Sequence, residues 1–135
     1  MQETKKVVLT WQAGVRFSGG ALEGPSTIVD GDNDAGPGPM LTLLLAAGSC
    51  SGSDVVVILE KMRVQLRRLR IDVTGVRREQ EPRRYIAIHF DYHVAGEGLD
   101  QAKATRAIDL SLEKYCSVVH SLAPDIAITY ALTLG

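Results

Sequence analysis

The stretch from Gly36 to Arg70 constrains this chain more than any other. It opens Gly-Pro-Gly-Pro-Met, continues Leu-Thr-Leu-Leu-Leu-Ala-Ala, passes through Gly48-Ser49-Cys50-Ser51-Gly52-Ser53-Asp54 and enters Val-Val-Val-Ile-Leu-Glu-Lys-Met-Arg. Pro39 suits the first turn of a helix, where its missing N–H is no loss. From Met40 to Ala47 the residues are apolar on every face except at Thr42, so the helix has to be buried. The Gly and Ser run around Cys50 has poor helix propensity, which predicts a bend before Asp54 caps a second helical segment. Cys50 would then sit beside unpaired N–H groups that, with the helix dipole, favour a thiolate. A small buried core residue is the commoner role for such a cysteine.

At 135 residues the chain is the size of one domain, with residues 1–135 around a single core. Fifteen basic residues against 16 acidic ones leave a formal charge of −1, which gives no global attraction to nucleic acid or anionic lipid. The basic residues gather between Lys61 and Arg84, but Glu60, Glu79 and Glu81 interleave with them, as on a solvated face. The N-terminal Met-Gln-Glu-Thr-Lys-Lys has no apolar signal core, and the Leu41–Ala47 run is too short to span a bilayer. A cytoplasmic protein with no membrane partner is expected. Two cysteines far apart in sequence do not make a structural disulfide framework.

Val7, Leu9 and Trp11 alternate with polar or β-branched neighbours as a first strand. Gly14 turns the chain, Val15–Phe17 begins a second strand with Arg16 beside the turn, and Pro25–Asp30 forms a third. Gly31 to Pro39 is turn chemistry that delivers the chain to the central helix. After Asp54, the positions Val55, Ile58, Leu59, Met62, Leu66 and Leu69 fall at helical spacing. A strand through Ile71, Val73 and Gly75 follows, then a polar turn from Glu79 to Arg83, then a strand from Tyr85 to Val94. Ile86, Ile88, Phe90, Tyr92 and Val94 line one face of that strand, and Tyr85, Ala87, His89, Asp91 and His93 the other. Asp100 caps a helix from Ala102 to Tyr115 with Cys116 at its end, and Ile126–Leu134 is the closing strand. The order is an α+β pattern of antiparallel sheets around a long central helix.

His89, Asp91 and His93 share a strand face and form a metal-friendly set of side chains, but same-face neighbours rarely converge on one ion, and a solvated face is the better reading. No metal is expected. His120, close after Cys116, has the chemistry of a base for a thiol, although a loop histidine is more often without such a role. Nucleophile elbows and phosphate-binding loops are lacking, and the loop before Pro39 carries Asp32 and Asp34, which repel an anion.

The two cysteine contexts carry a family likeness. Gly-Pro-Gly-Pro-Met before an apolar helix, then Gly-Ser-Cys-Ser-Gly-Ser-Asp-Val-Val-Val-Ile-Leu, then Lys-Tyr-Cys-Ser-Val ahead of a final strand, resembles the OsmC/Ohr family of peroxide-detoxifying proteins, in its OsmC-like branch. The resemblance implies an OsmC-like fold in which two chains intertwine as a homodimer, the central helices at its core and each site built from both subunits. It also implies that Cys50 is the peroxidatic thiol, Cys116 the resolving one, and Arg16, in its Gly-x-Arg setting, the cation at the reactive sulfur. Family members carry a glutamate just after the proline that opens the central helix; here Met40, Leu41 and Thr42 follow Pro39.

With those assignments the chemistry is the reduction of an organic hydroperoxide to an alcohol through a sulfenic acid and a Cys50–Cys116 disulfide, which an external dithiol reopens. No cofactor is required. Cys116 at a helix end, where the dipole opposes a thiolate, suits resolution rather than attack. A different expectation is a non-catalytic dimer that binds a small apolar ligand or a protein partner, its cysteines structural.

Overall fold

The computed structural model describes Met1–Gly135 and comprises two compact units, Met1–Leu43 and Leu44–Gly135. The N-terminal unit is an antiparallel meander of β1 (Val8–Ala13), β2 (Arg16–Gly20) and β3 (Ser26–Asp30) in the order β1-β2-β3. Gly14 turns the first hairpin at φ 51°, a left-handed conformation that a side chain disfavours. Trp11 donates its indole N–H to the Gly14 carbonyl across that turn (2.9 Å). Val8, Leu9, Trp11, Val15 and Phe17 all lie exposed.

Helix α1 runs unbroken from Pro39 to Lys61. The bend expected at Gly48–Ser53 is absent, and Asp54 lies inside the helix instead of capping a second one. The small residues serve packing. Leu44, Ala47, Gly48, Ser51, Gly52, Val55 and Leu59 form one buried stripe at helical spacing. A Cβ at Gly48 would lie 2.9 Å from Val73 Cγ2, and one at Gly52 would lie 3.0 Å from Ile71 Cδ1. At Gly48 the helix therefore approaches the sheet beneath it more closely than a side chain would permit, while at Gly52 only the flexible tip of Ile71 stands in the way. Each glycine costs about 1 kcal/mol in helix propensity. By length and composition alone α1 is apolar enough to cross a membrane; in this fold its buried stripe covers a sheet.

The helix stops earlier than its apolar spacing suggests. Arg63 takes φ 63°, the Arg63 N–H bonds the Glu60 carbonyl (3.0 Å) and the Val64 N–H bonds the Leu59 carbonyl (3.0 Å). This is a Schellman cap with arginine in the place usually held by glycine. Leu66 and Leu69, expected to continue the helix, belong to β4 (Gln65–Arg77).

In the second sheet, ordered β4-β5-β6, β4 pairs antiparallel with β5 (Tyr85–Glu97), which pairs parallel with β6 (Ala127–Leu134). Ile88, Phe90, Tyr92 and Val94 are buried as their alternation predicts. At the start of β5 the alternation slips. The register shifts between Val76 and Arg77, so that Val76 opposes Ala87 while Arg77 opposes Tyr85. Tyr85 turns inward with its ring over Gly75, whose missing side chain makes the room, and Ile86 turns out. Asp100 caps α2 (Gln101–Leu110), accepting from the Lys103 N–H (2.8 Å), as expected. The rest of the expected helix is a π-helical turn, Ser111–Tyr115, followed by the short α3 (Ser117–His120).

The two glycines make different predictions. Val73 is β-branched and cannot swing away, so Gly48→Val should lower stability by about 1–3 kcal/mol. The atom facing Gly52 is the flexible tip of Ile71, so Gly52→Ala should gain helix propensity and be neutral or stabilising by up to about 1 kcal/mol. Urea unfolding of both variants checks this. A Gly48→Val protein as stable as the parent would rule out close packing at that point.

Candidate functional site

Cys50 lies in the middle of α1 and Cys116 between the π-helical turn and α3; both are free thiols. The fold brings Cys50 near enough to Cys116 to raise the pKa of the Cys116 thiol. Their exposures differ: Cys50 is half-buried, whereas Cys116 is fully buried. The Cys116 sulfur also faces the Ala47 carbonyl (4.0 Å), one turn before Cys50 on α1. Because α1 is continuous, the unpaired N–H groups expected beside Cys50 are not there: its neighbours spend theirs within the helix.

Cys116 is held through its backbone. Its N–H bonds the Ser111 carbonyl (2.7 Å), the five-residue spacing of a π-turn, and its carbonyl accepts from the His120 N–H (3.1 Å). Burial pushes its thiol from 9.0 up to about 11; the Val119 backbone amide works against that rise, while Cys50 and the Asp54 carboxylate add to it. The helix-end argument for Cys116 therefore gives the right direction for the wrong reason. Cys116 also begins a helical turn, and desolvation is what keeps it protonated.

A buried chain of hydroxyls lies between the elements that carry the thiols. Tyr92 Oη and Ser51 Oγ are 2.6 Å apart, and Ser111 Oγ lies 2.8 Å from Ser51 Oγ and 2.9 Å from Asp54 Oδ2. Tyr92, Ser51 and Ser111 are fully buried, and burial pushes the tyrosine up to about 12. Sequence reasoning did not single out this chain. Its one signal was Ser51, a polar residue on the helical row Ala47, Ser51, Val55, Leu59 that otherwise faces the core.

Arg16 sits in the N-terminal unit, where Nε lies 3.4 Å from Asp30 Oδ2 and Nη2 lies 3.4 Å from Asp34 Oδ2. Asp30 is buried and titrates below the usual carboxylate range, chiefly because the Ala35 and Asp32 N–H groups donate to it, with Arg16 assisting. Arg16 thus has two carboxylate partners from the β3 end and the following loop, in a chain without the family's glutamate after Pro39. His89 shares its ring nitrogens between Thr129 (2.7 Å) and Asp91 (3.2 Å), while His93 faces Asp72 (3.7 Å). These three side chains do not converge, and no group of three or more His, Cys, Asp and Glu side chains is placed to hold a metal. His120 Nε2 lies 3.0 Å from the Leu112 carbonyl, which can only accept, so that nitrogen carries its proton and is not a base.

An α+β chain with these two cysteine-bearing elements falls in one recognised class. The family model described as OsmC-like protein matches residues 31–131, and the chain belongs to that family, as the likeness of its cysteine contexts implies. Among particular proteins, it is similar to protein YhfA of Escherichia coli strain K12, 40% identical over 122 residues that span 90% of this chain and 91% of YhfA. It is also similar to the crystal structure of a hypothetical protein from Aquifex aeolicus VF5, 32% identical with a TM-score of 0.86 and 99% of each chain covered. The organic hydroperoxide resistance protein OhrB of Bacillus subtilis shares the fold at 14% identity, with a TM-score of 0.63 over 97% of this chain and 98% of that one.

The raised Cys116 thiol has a consequence for stability. The unfolded chain releases that proton near pH 9.0 and the folded protein only near about 11, so between them the folded state binds more protons and stability falls as pH rises. The contribution is full below pH 9.0 and is lost as pH rises through about 11, a change of roughly 3 kcal/mol. Urea unfolding of reduced protein across this range should show a steeper alkaline loss for the parent than for Cys116→Ala. Parallel curves would mean that burial does not govern the thiol.

Proposed function

We propose that this protein is a cysteine-based peroxidase that reduces organic hydroperoxides to alcohols. The observation that carries the reading is the pairing, in one fold of the OsmC-like family, of a half-buried thiol on α1 with a fully buried thiol beside it. A Cys50 thiolate attacks the distal oxygen of the hydroperoxide; the O–O bond breaks, the alkoxide leaves and takes a proton as alcohol, and sulfur is oxidised to sulfenic acid. Cys116 then attacks that sulfur, hydroxide leaves and takes up a proton as water, and the disulfide forms. An external dithiol, of the kind the cytoplasm supplies, reopens it by exchange.

Accessibility supports the division of roles. Peroxide has to reach the first sulfur, and the second serves best as an unreactive thiol until a sulfenic acid forms next to it. The predominantly apolar α1 favours substrates with an alkyl tail. The family likeness assigns Arg16 as the cation that stabilises charge developing on the leaving oxygen.

Homodimerisation belongs to the same proposal. Leu41, Leu45, Ser49, Ser53 and Val57 follow one another at four-residue spacing along α1, and Leu41, Leu45 and Val57 are 46%, 59% and 49% exposed. Ser49 and Ser53 fold their hydroxyls back onto the Ala46 and Ser49 carbonyls (3.3 and 2.8 Å), which leaves a low, smooth ridge suited to another helix. An exposed apolar ridge of this kind on a helix supports a partner of the same kind. Light scattering over a dilution series should give twice the chain mass at micromolar concentration; a folded monomer there would refute the dimer.

Single-cysteine variants test the chemistry. Cys50→Ser should abolish hydroperoxide consumption, and Cys116→Ser should consume about one equivalent in forming its sulfenic acid, then a slower second one in excess peroxide as that passes to the sulfinic form, and stop. In the same assay Arg16→Met should slow the first turnover by at least about tenfold without unfolding the protein. Consumption retained by Cys50→Ser would overturn the mechanism, and a parent protein that consumes no hydroperoxide would leave the ligand-binding alternative.

A further inference from the structure

Ser111 makes two connections at once. Its backbone carbonyl accepts the Cys116 N–H (2.7 Å), and its hydroxyl is anchored on α1 through Asp54 Oδ2 (2.9 Å) and Ser51 Oγ (2.8 Å). Ser51 and Asp54 follow Cys50 on the same helix, one residue and one turn along. The anchoring thus joins the segment that carries one thiol to the helix that carries the other, by side chains that are not sulfur.

Hydroxyl chemistry fixes the donor at one end of the chain. A carboxylate only accepts, so Ser111 is the donor at the α1 end, its hydroxyl placed to give to Asp54 Oδ2 and Ser51 Oγ, while in the Ser51–Tyr92 bond either hydroxyl can donate. No buried side-chain polar atom lacks a partner. Tyr92 is itself fixed, stacked on Phe90 and edge-on to Tyr130 with ring centroids 6.0 Å apart in each case. The chain runs from a rigid strand, through α1, to the π-turn before Cys116. A lone buried serine pair needs no carboxylate to be satisfied; the turn to Asp54 is what ties it to the half-buried side of α1.

We propose that Asp54, Ser111, Ser51 and Tyr92 form a positioning device for the second thiol: the chain holds the π-turn Ser111–Tyr115 against α1 so that the Cys116 sulfur stands in line with Cys50. None of these side chains hydrogen-bonds a reacting sulfur; they act through the Cys116 backbone, and the Asp54 carboxylate in addition raises the pKa of the Cys116 thiol. The proposal rests on the reading of the two cysteines as a redox pair, and it concerns the closing of the disulfide, not the attack on peroxide. Disulfide closure needs the two sulfurs aligned, and a misplacement of about 1 Å can cost a factor of about 100 in rate.

Closure can be followed without peroxide. An excess of an aromatic disulfide reagent is mixed with reduced protein and the released aryl thiolate is monitored. In the first phase the Cys50 thiolate displaces one aryl thiolate and forms a mixed disulfide; in the second the Cys116 thiolate attacks the Cys50 sulfur, forms the protein disulfide and releases the other aryl thiolate. Ser111→Ala and Asp54→Ala should leave the first phase within about twofold of the parent and slow the second by about 10- to 100-fold. Asp54→Asn, whose amide oxygen still accepts from Ser111, should fall between the parent and Asp54→Ala. A chain that acted only on global stability would move both phases together. Second phases at the parent rate in Ser111→Ala and Asp54→Ala overturn the proposal. If Ser111→Ala fails to fold, the Asp54 pair decides it: the expected order supports the device, and equal second phases in parent, Asp54→Asn and Asp54→Ala overturn it. A protein that closes its disulfide here yet consumes no hydroperoxide would refute the peroxidase reading while leaving the positioning result standing.

Discussion

The close approach of α1 to the second sheet is the constraint on which the rest of this structure depends. Gly48 removes the side chain that would hold the helix away from Val73, and Gly52 leaves room for the tip of Ile71. That approach puts Ser51, between them, into a space with no water, where its hydroxyl must be satisfied by protein. Tyr92 from the strand and Ser111 from the π-turn satisfy it. A helix held off by ordinary side chains would not bury Ser51 in this way, and the segment before Cys116 would lose its attachment to α1. The glycines thus act on the thiols through distance, not through flexibility.

Burial then separates the two cysteines. They adjoin, but one opens toward solvent and the other is sealed beneath the turn that carries it. A thiol pushed up to about 11 is inert toward most electrophiles at neutral pH. Its reactivity has to come from proximity, which is what a resolving partner needs and a first nucleophile does not. The helix dipole, the obvious explanation from the sequence, has little part in this. Cys50 is in mid-helix, and Cys116 closes one helical segment while opening another.

Much of the fold was legible because its signals are local. Alternation located the strands, Asp100 marked its helix start, and the contexts of Cys50 and Cys116 pointed to the family. What sequence reading missed required knowledge of neighbours. Arg63 ends α1 in a left-handed conformation that arginine rarely adopts, so the apolar spacing ran on into Leu66 and Leu69. The Gly-Ser run looked like a helix break because propensity scales know nothing of a sheet that needs close access. Tyr85 and Ile86 exchanged faces because a register shift and the space over Gly75 outweighed the pleat. The hydroxyl chain joins residues far apart in sequence, and no spacing rule could have assembled it.

The account's central claim is that the neighbouring thiols are a redox pair that a hydroperoxide closes. Intact mass spectrometry of the reduced protein, before and after one equivalent of an organic hydroperoxide and with excess reagent quenched, tests it directly. The account predicts loss of two hydrogens per chain, with Cys50 and Cys116 recovered in one disulfide-linked peptide pair. An unchanged mass, with both cysteines still free, would contradict it.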